Sequence, residues 1–132
     1  TGFAGETDEE FAQTVDFIKR IGFADAHVFQ YSERRGTPAA VRPGRVPHEI
    51  REARSKKVIA ITNESHNAFL NEHIGRTMDV LYETKTKDGM YEGKTINYIT
   101  VYSPSDTDIS GKIIKTHLER TENGIIFGKI VD

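Results

Sequence analysis

The fold class this 132-residue chain predicts is an α/β segment, a long connecting helix and then a small all-β barrel. Three observations predict it. Residues 7–21 repeat apolar side chains at helical spacing behind a capping signal and lead into a β-prone run. Residues 47–74 hold a period near 3.6 without a break. After Gly75 the period falls to about 2, in short runs separated by turn residues.

Thr7 followed by Asp8, Glu9 and Glu10 reads as a helix start: Thr7 caps a backbone amide and Glu10, three residues on, reaches back. The acids also suit the positive end of the helix dipole. Phe11, Val15 and Ile18, with Thr14 between them, form one apolar face, and Gly22 supplies the stop. Ala26 to Tyr31 then reads as a short buried strand. Glycine turn, helix and strand make half of a β/α unit. Pro43, Gly44 and Pro47 break the chain, and Pro47 suits the first turn of a second helix. Ile50, Ala53, Val58, Ile61, Ala68 and Phe69 carry that helix to Gly75, with Arg51, Arg54, Lys56 and Lys57 expected on its exposed face. Beyond it, "TMDVLYETKT", "INYITVYS", "GKIIKTHLER" and "GIIFGKIVD", separated by "KDG", "SPSDTD" and "TENG", predict four or five antiparallel strands in an OB-like Greek-key barrel. The expected pieces are 1–46, 47–74 and 75–132.

Composition bounds the function. Hydrophobic content of 36% with 29% charged residues describes a globular chain. No apolar run approaches the roughly 20 residues of a membrane span. The start "TGFAGETDEE" lacks a basic leader, an apolar core and a cleavage site, so no secretory signal is read there. Beginning inside a motif already in progress, it reads as a piece of a longer chain. The absence of cysteine excludes disulfides and thiolate-ligated metal within these residues. A net charge of -2 gives no global pull toward nucleic acid, yet residues 34–57 carry eight basic side chains against Glu49 and Glu52. A local positive surface is expected there.

Several stretches could carry chemistry. In "GFAGET", Gly2 and Gly5 with Phe3 precede a helix N-terminus, where backbone amides can approach an anionic group; a plain turn into a helix needs the same residues, and spacing alone favours the turn. In "YSERRGTPAA", Arg34 and Arg35 offer guanidinium forks that match a phosphate or carboxylate, or are simply solvated. The histidines at 27, 48, 66, 73 and 117 show no ligand spacing, and in "HEIRE" Glu52 stands where a zinc motif needs its second histidine, so no metal site is expected. The serines lack a nucleophile elbow, and no catalytic residue is assigned. The barrel segment interleaves Tyr82, Tyr91, Tyr98, Tyr102 and Phe127 with Lys85, Lys87, Lys94, Lys112, Lys115 and Lys129, a pattern that serves base stacking and phosphate contact. The same aromatics could fill a small core, and eight basic against nine acidic residues do not decide between the two.

Taken in order, these motifs resemble one family. "TGFAGETDEEFAQTVDFI", "HVFQYSERRGTPAA", "VPHEIREAR", "GRTMDVLYE" and "INYITVY" are similar to successive motifs of the radical S-adenosylmethionine methylthiotransferases, over nearly the whole chain. Ala4 stands where the family usually has proline. The wording of "HVFQYS" and "NYITVY" looks most like the branch acting on threonylcarbamoyladenosine, with the isopentenyladenosine branch second. The resemblance implies the terminal β/α elements of a TIM-like radical-SAM barrel followed by a TRAM barrel, within a cytoplasmic parent enzyme. That parent adds a methylthio group to C2 of a modified adenosine beside the tRNA anticodon, using S-adenosylmethionine and two [4Fe-4S] clusters. The cluster ligands would lie in missing N-terminal domains, so this piece is expected to be inactive alone. It also implies that Gly2, Phe3, Gly5, Glu6, Ser32 and Arg34 face the cofactor, and that Arg35, Lys85, Lys94, Tyr98, Lys112 and Lys115 face RNA. No membrane partner is expected, and the exposed barrel elements are expected to self-associate or to be poorly ordered. A free-standing RNA-binding module and a ribosomal-protein methylthiotransferase fragment are the alternatives.

Overall fold

Thr7 begins helix α1 (Asp8–Ile21) through a reciprocal capping box. The Glu10 amide donates to Thr7 Oγ1 at 3.1 Å and the Thr7 amide donates to Glu10 Oε2 at 2.9 Å. Gly22, at φ +63°, ends the helix and donates its N–H to the Ile18 carbonyl. The computed structural model describes residues 1–131, which divide into two compact units, Thr1–His66 and the chain from Asn67 onward.

In the first unit, Phe11 and Val15 of α1 bury against Val58 and Ile61 of helix α2 (His48–Asn71), with Ile18 and Val28 packed beside them. A short 3₁₀ turn, Pro38–Val41, lies between the two helices in sequence. The strand expected at 26–31 does not form. This segment is extended and makes one parallel rung: the Thr1 ammonium donates to the Phe29 carbonyl at 2.9 Å, and the Tyr31 amide donates to the Thr1 carbonyl at 2.8 Å. A ladder needs a continuing partner, and the described backbone gives this segment a single rung. Phe29 is accordingly 77% exposed rather than buried.

The second unit is a closed barrel in the order β1-β2-β3-β5-β4, an OB-like arrangement. Its strands are β1 (Thr77–Lys85), β2 (Met90–Thr95), β3 (Thr100–Pro104), β4 (Ile113–Glu122) and β5 (Ile125–Ile130). The expected all-antiparallel barrel is corrected at one seam, because β3 and β5 run parallel. Parity requires it: strands alternating in direction around a closed ring must be even in number. Register shifts in β1 between Tyr82 and Thr84 and in β4 between Leu118 and Arg120 supply the bends that closure needs.

Leu70, Val80, Tyr82, Ile99, Val101, Leu118 and Ile126 form the barrel core. Tyr82 and Tyr91, read from sequence as possible stacking surface, are buried in this core instead. The Tyr82 hydroxyl donates to Ser103 Oγ at 2.7 Å and meets Thr116 Oγ1 at 2.8 Å, while Ser103 Oγ donates to the Gly128 carbonyl. Both polar partners are fully buried, so the ring is held by a satisfied interior network. Gly93 lets β2 approach β1: a Cβ there would sit 2.6 Å from the Leu81 carbonyl oxygen and from Val80 Cγ1. No helix among the described residues is long and apolar enough to cross a membrane.

Candidate functional site

The first unit presents an open groove of about 480 Å³ whose walls include Phe3, Glu6, Phe29, Gln30, Tyr31, Ser32 and Arg34. Its size falls in the usual range of small-molecule sites. The Phe3 and Tyr31 rings meet edge-on with centroids 5.0 Å apart. Phe3, Glu6, Ser32 and Arg34, four of the six residues expected at the cofactor, therefore come together on one surface. Gly2 and Gly5 do not line it.

What those glycines do is visible in the packing. A Cβ on Gly2 would lie 2.2 Å from Arg51 Cγ, so its missing side chain makes room for the arginine stem of α2. Gly5, at φ +88°, donates its amide to the Gly44 carbonyl at 2.7 Å. The loop is clamped at its far end by Arg54, expected on the exposed face of α2 but only 7% exposed. Arg54 Nη1 donates to Glu6 Oε1 at 2.7 Å and to the Glu6 carbonyl at 3.1 Å, and Nη2 donates to Asp8 Oδ1 at 2.8 Å. Burial pulls the Arg54 pKa down, but the hydrogen bonds it donates to Asp8 and Glu6, with their charges, outweigh it and the net shift is upward. Its guanidinium also lies over the Phe11 ring, 5.3 Å from the centroid. Glu6 Oε1 in turn accepts the Gly2 amide at 3.0 Å, so one carboxylate ties both ends of the glycine loop to α2.

Sequence reasoning missed Arg54, although a signal was there. Arg54, Val58 and Ile61 share one helical stripe at i, i+4 and i+7, which puts the arginine in phase with the buried face. Arg51 is half-buried as well, and its Nη1 donates to the Tyr31 carbonyl at 2.8 Å, fixing the backbone beside the groove. Arg35 projects from the exposed turn at 34–37, where the Thr37 hydroxyl donates to the Arg34 carbonyl at 2.8 Å.

On the barrel, the residues expected to face RNA fall at separate places. Lys85, at the end of β1, and Lys112, before β4, both act on Asp108, whose pKa is lowered first by hydrogen bonds from Ser110 and then by these charges. Lys112 Nζ also donates to the Asp108 carbonyl at 3.0 Å. Lys94 donates to Thr100 Oγ1 across the β2–β3 pair, and Tyr98 stands at the tip of the turn between those strands, 86% exposed. Lys115 of β4 is exposed and registered with Asp79 of β1. Tyr102, Phe127 and Arg120 form an outward row across β3, β5 and β4, with the Arg120 guanidinium 3.9 Å from the Phe127 centroid. No group of three or more side chains able to hold a metal occurs among the described residues.

No family model matches the chain. Curated relatives do. The chain is 33% identical, over 99% of its length, to tRNA-2-methylthio-N(6)-dimethylallyladenosine synthase of Moorella thermoacetica, spanning 30% of that protein. It is 34% identical over 99% of its length to the enzyme of the same name from Bartonella henselae, of which it spans 29%. Against threonylcarbamoyladenosine tRNA methylthiotransferase MtaB of Bacillus subtilis the identity is 34% over 89% of the chain, which spans 27% of that relative. Matched in this way along nearly its whole length, the chain belongs to the tRNA methylthiotransferase family and spans a little under a third of its relatives' length.

Proposed function

We propose that this chain is the C-terminal part of a radical S-adenosylmethionine tRNA methylthiotransferase, contributing a wall of the S-adenosylmethionine pocket and a TRAM barrel that holds tRNA. The observation that carries the reading is the convergence of Phe3, Glu6, Ser32 and Arg34 on one groove in a chain of this family. The donor set fits S-adenosylmethionine: Phe3 and Tyr31 offer ring faces to an adenine, Arg34 a fork to a carboxylate, and Ser32 a hydroxyl. When bound, S-adenosylmethionine supplies the radical-forming and methyl chemistry of the parent. The chain's own task is to bind and orient, with Gly2, Gly5 and Glu6 shaping the loop that carries Phe3. The residues do not fit the [4Fe-4S] clusters, since the sequence has no cysteine, and no step through them is assigned to this piece.

In this reading the division of labour follows 1–46, 47–74 and 75–132. The parent acts in the cytoplasm on threonylcarbamoyladenosine beside the anticodon, and the uncovered face along Phe29 meets the rest of the parent or a second copy. Arg35, Lys85, Lys94, Lys112 and Lys115 contact phosphates, and Tyr98 contacts a base.

The test is tRNA binding by fluorescence anisotropy across a salt series. Affinity falls as salt rises, and each lysine changed to glutamine lowers the slope of log affinity against log salt by about one. A chain that fails to bind tRNA even at low salt overturns the RNA reading. For the groove, equilibrium dialysis with S-adenosylmethionine compares the parent chain with Arg34→Ala; equal retention by both removes Arg34 from the site.

A further inference from the structure

The turn joining β2 to β3 is built more rigidly than a connection requires. The Thr95 amide donates to the Ile99 carbonyl at 3.1 Å, the Tyr98 amide to the Thr95 carbonyl at 3.0 Å, and the Ile99 amide to Thr95 Oγ1 at 3.0 Å. Thr95 Oγ1 donates to Asn97 Oδ1 at 2.6 Å, which turns the Asn97 amide nitrogen toward His73 Nε2 at 3.1 Å. That bond leaves the proton of the buried His73 ring on Nδ1, where it is donated to the Phe69 carbonyl at 2.7 Å. The turn is thus anchored to the barrel's own buried polar groups.

On this frame stand two apolar side chains that touch little else: Ile96 is 91% exposed and Tyr98 86% exposed. Tyr98 is also held at φ +63°, a left-handed backbone region that is unfavourable for a bulky side chain. Among the described residues the other non-glycine position at positive φ is Asn123, a type that tolerates it. A turn with no task beyond connecting strands would take glycine or asparagine at position 98 as well. Packing does not explain the tyrosine, because its ring is in solvent. Beside the turn, an outward row in register across β2, β1 and β4 places Lys94 next to Leu81, 39% exposed, and Ile113, 69% exposed.

We propose that the Ile96–Tyr98 turn is a preformed stacking wedge for an unpaired nucleobase of RNA, with Lys94 positioned for the adjoining phosphate. The proposal rests on the RNA reading of the barrel and deepens it, by making the base at Tyr98 an unpaired one that stacks on a preformed turn. The occupant follows from the shape and charge. A rigid tip with one free aromatic face suits a flat ring carrying an anion, whereas a protein hot spot would be enclosed by a rim that excludes water. Stacking on one exposed ring tolerates any base, because every base has a π-face.

The experiment uses the whole chain and two RNA probes: a hairpin whose unpaired loop carries 2-aminopurine, and the same stem closed as uninterrupted duplex. The parent chain binds the hairpin more tightly than the duplex and quenches the loop fluorophore. Tyr98→Phe retains both properties. Tyr98→Asn weakens hairpin binding roughly 5- to 150-fold, loses the quenching and leaves the salt slope unchanged, while its thermal midpoint stays level or rises because the backbone strain is relieved. A double change at Lys112 and Lys115 to glutamine lowers the salt slope and keeps the quenching. If Tyr98→Asn binds the hairpin like the parent while the lysine variant weakens, the wedge is wrong and the RNA reading stands. Equal affinity of the parent for hairpin and duplex, or a fall in thermal midpoint in Tyr98→Asn, also overturns the wedge. Failure of the parent to bind either RNA overturns both readings.

Discussion

The two units solve the same problem in opposite ways. In the barrel every strand has two partners, and its exposed apolar residues, such as Ile96, Leu81 and Ile113, lie outside a core that is already complete. In the first unit the extended segment at 26–31 has one rung, and Phe23, Phe29 and Val41 remain open to solvent. Its order comes from a small apolar cluster between α1 and α2 and from charged clamps at Arg54 and Arg51. A closed ladder needs few polar anchors at its rim, whereas an unfinished one has to be pinned from the side. The predictions below separate these two modes.

The largest effect is expected from Gly93→Ala. The new methyl would meet the Leu81 carbonyl oxygen and Val80 Cγ1 at 2.6 Å, and backbone cannot move aside without opening the β1–β2 ladder. Overpacking of this kind costs about 3 kcal/mol. Chemical denaturation should show the loss, with amide protection falling across β1 to β5 and unchanged in α1. Equal loss of protection in α1 would mean that the two units are energetically one.

Arg54→Gln comes next, at about 2 kcal/mol, below the usual cost of breaking a buried pair because Asp8 is 91% exposed and rehydrates freely. Its effect belongs to the first unit: the Gly2 and Glu6 amides should exchange faster while barrel amides stay protected. Arg54→Lys restores one contact but not the fork, so partial recovery is expected. Unchanged exchange at Gly2 in Arg54→Gln would remove Arg54 as the loop's clamp.

These two positions also mark what could be read from the chain alone. The capping box at Thr7 and Glu10, the stop at Gly22 and the change of period at Gly75 are local signals, set by neighbours within a few residues, and the structure follows them. The strand expected at Ala26–Tyr31 depended on pairing with backbone far away in sequence, which composition does not encode. Tyr82 and Tyr98 show the same limit within the barrel. Each has one apolar and one polar neighbour in sequence, Leu81 and Glu83 for Tyr82, Ile99 and Asn97 for Tyr98, yet one is fully buried and the other 86% exposed, because the pleat and the turn decide the side. Four residues of the groove stood out in the sequence as motifs, but the role of the glycines beside it did not. Gly2 answers to Arg51 and Glu6 to Arg54, each across a separation of about fifty residues. The parallel β3–β5 seam follows from counting strands, and only after β2 has been recognised as one.

A smaller change sharpens the comparison from the side of α1. Thr7→Ala removes the acceptor for the Glu10 amide and should cost about 1 kcal/mol. The loss should be read in α1 and not in the barrel. Asp in place of Thr7 should recover it, since a carboxylate accepts the same amide.

The smallest effect concerns pH and belongs to the barrel's outer row. The Tyr102 hydroxyl donates to Glu92 Oε2 at 2.8 Å, and this bond to a carboxylate, more than burial, raises the phenol's pKa above its ordinary value of 10.0. Because the folded pKa is the higher one, the folded state binds this proton more tightly than the unfolded state. The stabilisation is therefore complete below about pH 10 and is lost as pH rises through the folded value. Denaturation midpoints between pH 8 and pH 11 should fall less steeply at the alkaline end in Tyr102→Phe than in the parent chain. Glu92→Gln should flatten the same limb by returning the phenol toward its ordinary pKa. The row Glu92, Tyr102, Phe127 and Arg120 crosses four strands in register, including the parallel seam. Identical alkaline limbs in all three proteins would mean that the seam is held by core packing beneath it and that the outer hydrogen bond adds nothing.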